Sequence, residues 1–229
     1  MSNKNRLRNI LLVLGAAALV AGCATSSVPK ESGFLPDYSR LHQESTAAGG
    51  SRLVYANPEF TPARYNAIKL DPVVYYPEPQ PTADISMDTL TQIRKEMDQS
   101  LRKKLGEKVR MVDRAGPGVA HVRIAITAIG AETRALKVYQ FIPVALAVTG
   151  AKAVAQGGLP RDATIAIESH VTDSVSGELL YAAVRGGTGE RVVDEAQGQV
   201  GVQPASLQPL IDEWSTAAAN TVQKFVKGK

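Results

Sequence analysis

The stretch ATIAIESHVT (163–172), DSVSGE (173–178) and LLYAAVR (179–185) reads as two β-strands joined by a tight turn. Ile165, Ile167 and Val171 fall on one face of the first strand, the period of two that a half-buried strand needs. Asp173 to Glu178 is turn chemistry, with Gly177 free to take a positive φ. A hairpin with one apolar face needs a covering layer, and the segments around it say what that layer is.

Upstream, Val119 to Ile129 reads as a strand in which Val122, Ile124, Ile126 and Ala128 alternate with His121, Arg123, Ala125 and Thr127. A short strand from Val109 to Val112 precedes it, across Arg114-Ala115-Gly116-Pro117-Gly118. Tyr65 to Tyr76 is another extended segment: Ile68 and Leu70 alternate with Lys69 and Asp71, until Pro77, Pro79 and Pro81 stop it. Between them Leu90, Ile93, Met97, Leu101 and Leu105 step by three or four, which predicts a helix from Ser86 to Leu105. Ser86 is its expected N-cap and Gly106 its stop, and Arg94, Lys95, Asp98, Arg102 and Lys103 form a solvated outer face. A second helix, Leu207 to Val226, aligns Leu210, Ile211, Trp214, Ala218, Thr221 and Phe225, with Ser206 as cap and Lys224, Lys227 and Lys229 near the end that favours cations. A glycine-rich loop is expected from Gly186 to Gly201. The predicted fold is α+β: a mainly antiparallel sheet with two helices on one face and an apolar helical insert.

The insert is Phe141 to Ala155, FIPVALAVTGAKAVA, nearly continuous apolar residues broken by Pro143, Gly150 and Lys152. It is shorter than the about 20 residues that span a bilayer, so it reads as a buried helix, an apolar surface meeting a partner, or a segment touching lipid. Phe141, Val144, Val148, Gly150 and Lys152 are its candidate interaction residues, and small residues such as Ala147 and Ala151 permit close approach of another helix.

The N-terminus has its own logic. Lys4, Arg6 and Arg8 precede an apolar run from Ile10 to Val20 and then Ala21-Gly22-Cys23, the layout of a secretory signal ending in small residues. It resembles the lipobox of bacterial lipoproteins, a resemblance that implies lipidation of Cys23 and a signal peptide over residues 1–22. Ala24, rather than aspartate, after the cysteine resembles lipoproteins retained on the outer membrane and facing the periplasm. Cys23 is the chain's sole cysteine, so disulfide and thiol chemistry fall away together. Residues 23–51 then form a tether rich in Ser, Thr, Pro and Gly, and residues 52–229 a single α+β periplasmic domain. Within the tether, Ser32 to Leu41 carries Phe34, Leu35, Tyr38 and Leu41, and reads as a turn or short strand covering a core edge, or else as a partner-binding motif.

Lipobox, Gly33-Phe34-Leu35-Pro36-Asp37-Tyr38-Ser39-Arg40-Leu41, Arg64-Tyr65-Asn66-Ala67-Ile68-Lys69-Leu70-Asp71-Pro72-Val73 and Asp173-Ser174-Val175-Ser176-Gly177-Glu178 occur in that order. Together they resemble a family of uncharacterised proteobacterial outer-membrane lipoproteins known as a domain of unknown function. The resemblance covers nearly the whole chain after Cys23, implies an envelope lipoprotein, and carries no catalytic residues.

Composition argues against several classes. The net charge of +4 comes from 26 basic and 22 acidic residues; without Lys4, Arg6 and Arg8 it is 23 against 22. With 5% aromatic residues and balanced charge, no basic face points to nucleic acid. His42, His121 and His170 lie in separate segments without a paired ligand, so no metal or other cofactor is expected. There is no G-x-S-x-G elbow, and Gly187-Thr188-Gly189-Glu190 lacks the rest of a phosphate loop. The neighbouring acids Asp194 and Glu195, or Asp212 and Glu213, point apart on a strand or helix. The reading is a non-enzymatic accessory, scaffold or assembly factor, anchored to the membrane by lipid and acting through an envelope protein partner or self-association. The alternatives are a transport accessory binding a small apolar ligand under the insert, and a hydrolase in which the fold brings a carboxylate to His121 or His170.

Overall fold

The computed structural model describes residues 31–46, 51–133, 161–192 and 201–229. Cys23, the insert with Phe141, Val144, Val148, Gly150 and Lys152, and part of the expected glycine-rich loop lie outside these residues. The strands are β1 (His42–Ser45), β2 (Ser51–Ala56), β3 (Ala67–Leu70), β4 (Val74–Tyr75), β5 (Val119–Thr133), β6 (Arg161–Asp173) and β7 (Leu179–Val192). The helices are α1 (Met87–Lys108) and α2 (Pro204–Val222). The strands form one sheet in the order β1-β2-β7-β6-β5-β3, with β4 also pairing β5.

The β6–β7 hairpin sits in the middle of that sheet, and its turn closes as its residues require. Gly177 has φ +76°. Asp173 Oδ1 accepts from the backbone N–H groups of Val175 and Ser176 at 2.9 and 2.8 Å. The Ser176 amide leads among the bonds that hold the Asp173 carboxyl below its ordinary value, with burial opposing it.

The sheet is mixed rather than mainly antiparallel, because β3 and β4 run parallel to β5. The long α1 crossover carries the chain back before β5 begins, which makes the parallel pairing possible. Val109 to Met111 contributes isolated bridges rather than a strand.

Helix α1 begins as its sequence dictates: Ser86 Oγ accepts from the Thr89 N–H at 3.1 Å. Leu90, Ile93, Met97, Leu101 and Leu105 are its buried stripe. It runs through Gly106 instead of stopping there, and a Cβ at Gly106 would lie 3.3 Å from Met111 Sδ, so the small residue admits the chain folding back beneath it. The Gly106 carbonyl accepts from Lys229 Nζ, a cation at a helix C-terminus. The outer face of α1 is only partly solvated. Asp98 Oδ1 accepts from the Val73 N–H at 3.0 Å while its Oδ2 pairs with Arg102 at 2.8 Å.

Helix α2 starts at Pro204 with Gln203 as N-cap, earlier than expected, and Ser206 is buried in its first turn. Pro204 is pre-set for the first helical position, which accounts for the early start. The helix ends at Val222, and Phe225, now outside it, stacks on Phe60 with ring centroids 4.8 Å apart.

Both helices cover the same face. Ile68, Val122, Ile124, Ile126, Ile165 and Val171 form one core with the buried stripes of α1 and α2. A β-bulge between Ile126 and Ala128 shifts the register, so Ile129 rather than Ala128 joins that core. The expected loop from Gly186 is instead the second half of β7, which continues to Val192. Gly187 and Gly189 are small because α2 lies on them: a Cβ would meet the Trp214 ring at 2.6 Å and the Ser206 carbonyl oxygen at 2.3 Å.

Candidate functional site

The opposite face of the sheet is covered by the tether. Phe34 and Leu35 are buried with Ala125, Ala182 and Val184, and Tyr38, Leu41, Leu53 and Tyr55 pack around them. Burying two such side chains contributes roughly 1.5–3 kcal/mol each. The attachment is also polar. Tyr38 OH donates to Glu168 Oε2 at 2.7 Å and accepts from the Gly33 and Leu35 N–H groups at 2.9 and 3.2 Å. The Ser32 N–H donates to Glu168 Oε1 at 3.4 Å, and the Arg123 guanidinium lies 5.2 Å from the Phe34 ring centroid. Glu168 is fully buried, projecting from a strand position whose neighbours in sequence give no hint of it. Burial, with the Glu168 carboxylate adding to it, pushes the Tyr38 phenol up. The Ser32–Leu41 segment is therefore docked on this face of the sheet.

The same face brings together the pairing required by the hydrolase alternative. His121 Nε2 lies 2.7 Å from Asp71 Oδ2 and 3.2 Å from Lys69 Nζ, and Lys69 donates to Asp71 Oδ1 at 2.6 Å. Burial opposes the Asp71 charge, but the bonds from Lys69 and His121 prevail and hold its carboxyl below the ordinary value. Among the described residues the ring's hydrogen-bond partners are an ammonium and a carboxylate rather than a hydroxyl, so the arrangement is an ion-pair cluster and not a serine-type triad. Among the described residues His170 has no carboxylate bonded to it, and its buried Nδ1 has no hydrogen-bond partner.

An apolar concave feature lies on the helix face. A cavity of about 140 Å³ lies between α2 and the sheet, walled by Phe60, Ile124, Ile167, Trp214, Ala218 and Phe225. Sequence reasoning missed it, because these residues come from five separate segments. The alternating Ile165-Ile167-Val171 face was its nearest signal, although that pattern looks the same for a filled core. The part-exposed residues Arg52, Arg185, Ala217 and Thr221 also line it. The Arg185 guanidinium stands 4.7 Å from the Trp214 ring centroid and donates to Glu213 at 2.7 Å. The indole N–H of Trp214 is buried with no acceptor among the described residues. A mostly apolar hollow with cations beside it is suited to holding a small molecule or a partner's side chain.

These features define a class: an α+β domain with a mixed sheet, two helices on one face and its own N-terminal segment on the other. The chain belongs to the family described as "Protein of unknown function (DUF3313)", whose model matches residues 30–218. It is similar to the "Uncharacterized lipoprotein YdcL" of Escherichia coli K12, at 28% identity over 211 residues, spanning 91% of this chain and 93% of that one. Among solved structures, a PelC dodecamer from Paraburkholderia phytofirmans aligns at 13% identity and TM-score 0.34, over 73% of this chain and 97% of that one. A minor lipoprotein from Acinetobacter baumannii aligns at 10% identity and TM-score 0.34, over 72% and 98%. Likenesses at that level do not bear on function.

Proposed function

We propose that this chain is a lipoprotein lipidated at Cys23, held on the outer membrane facing the periplasm, and acting as a non-enzymatic accessory that works by binding. The observation that supports binding over catalysis is the apolar cavity between α2 and the sheet, set on the face opposite the His121–Asp71 pair. The similarity to a lipoprotein along nearly the whole chain supports the anchor. Contact with an envelope protein through Phe141, Val144, Val148, Gly150 and Lys152 belongs to the same role.

Two measurements test the proposal. Cys23→Ser should abolish incorporation of labelled palmitate; undiminished labelling of the variant refutes the anchor. Titrating neutral octan-1-ol into the protein should shift amide resonances of Ala217, Ala218 and Thr221, and a spectrum unmoved at those positions refutes the cavity as a binding element.

A further inference from the structure

The residues beside the cavity define what it holds. Arg52 on β2 and Arg185 on β7 are direct cross-strand partners, two cations face to face where like charges destabilise a sheet. Each has a carboxylate: Glu44 accepts from Arg52 Nε and Nη2 at 3.2 and 2.9 Å, and Glu213 accepts from Arg185 Nη2. The carboxylates lie outward of the cations, however. The Glu44 and Glu213 side chains are 41% and 47% exposed, against 29% for Arg52 and 17% for Arg185. Positive charge is thus carried deeper than negative, beside an apolar hollow. A guanidinium has five N–H donors and keeps its charge, so one carboxylate leaves capacity for a second anion. Burial first, with the Arg52 charge also contributing, pulls the Arg185 pKa down despite Glu213, the direction an additional anion would reverse.

We propose, resting on the binding role assigned to this cavity, that it takes a small anionic amphiphile: a carboxylate or phosphate head at Arg52 and Arg185, with an apolar tail among Ile124, Ile167, Ala218 and Phe225. The size suits the tail. About 140 Å³ is close to the roughly 150 Å³ of an engineered apolar cavity that accepts benzene, so some six carbons fit inside. The planar guanidinium fork matches either head bidentately.

The test uses the full chain carrying Cys23→Ser, so that no acyl group of its own competes. Octanoate, octyl phosphate and octan-1-ol, the same tail with two anionic heads and a neutral one, are titrated separately at neutral pH. At least one anion should bind about tenfold or more tightly than the alcohol, and the better of the two identifies the head. Arg52→Gln should remove that advantage and leave the alcohol's affinity unchanged, and Arg185→Gln gives the same reading if the first variant melts early. Ala218→Leu should weaken all three ligands by filling the cavity. Equal affinity for anion and alcohol overturns this inference while leaving the binding role standing; no binding by any ligand overturns both. Binding that Ala218→Leu does not weaken places the ligand elsewhere and also overturns it.

Discussion

Removing one oxygen atom at Tyr38 tests how the tether is held. The Tyr38 hydroxyl donates to the Glu168 carboxylate at 2.7 Å and accepts from two backbone N–H groups of its own turn. In Tyr38→Phe, Glu168 keeps the Ser32 N–H at 3.4 Å while remaining fully buried. A hydrogen bond to a charged group contributes about 1.5–3 kcal/mol, and leaving the buried acceptor short of a donor puts the loss near the middle, about 2 kcal/mol. For a chain of this size each kcal/mol lowers Tm by about 2–4 °C, so the melting temperature should fall by about 4–8 °C. The loss should be local as well. Amide hydrogen exchange at Phe34 and Leu35 should accelerate, while β6 and α1 keep their protection. Glu168→Gln preserves an acceptor for Tyr38 without a buried charge, so Tyr38→Phe should cost less in that background. A single variant that melts within about 1 °C of the parent, with Phe34 and Leu35 still protected, would refute the reasoning, since that is below the effect of one ordinary hydrogen bond.

Other outcomes follow from single positions. Gly201 has φ +86°, and a Cβ there would lie 1.9 Å from the Asp84 carbonyl oxygen, whereas Gly177 at φ +76° faces open space. Gly201→Ala should therefore cost at least about 3 kcal/mol and Gly177→Ala about 1–2, and equal melting temperatures would show that the close approach is not what matters. The half-buried His170 is shifted below its ordinary 6.5, by burial first and then by Arg123 and His121. The unfolded chain takes up that proton before the folded one, so stability is complete above pH 6.5 and declines as pH falls through the window down to the lowered folded value. His170→Gln should flatten that slope in denaturant melts taken at successive pH values; an unchanged slope assigns the pH dependence elsewhere.

What the sequence made legible was local. The hairpin turn, the Ser86 cap and the α1 stripe depend on neighbours a few residues apart, and their side-chain types suffice to specify them. Pairing direction does not depend on near neighbours: nothing in Ile68-Lys69-Leu70 says that β5 will run parallel beside it. Gly186, Gly187 and Gly189 look like a loop in sequence, yet two of them record the close approach of α2, a packing demand that composition cannot distinguish from flexibility. The docked tether was half legible, through Phe34 and Leu35, but its polar partner Glu168 is more than a hundred residues away. The cavity residues were each visible as core, and a hollow between them has no signature in any one segment.

Docking Ser32 to Tyr38 on the sheet also sets how far the domain can reach. With Cys23 in the membrane as proposed, eight peptide steps lead to Glu31, a span of at most about 29 Å when fully extended. Were the tether free as far as His42, where β1 begins, nineteen steps would allow about 68 Å. The accessible volume scales with the cube of reach, so releasing the segment would dilute the domain about 13-fold with respect to anything at the membrane surface. Given that anchor, Phe34, Leu35 and the Tyr38–Glu168 bond would set an effective concentration at the bilayer as well as a folded structure.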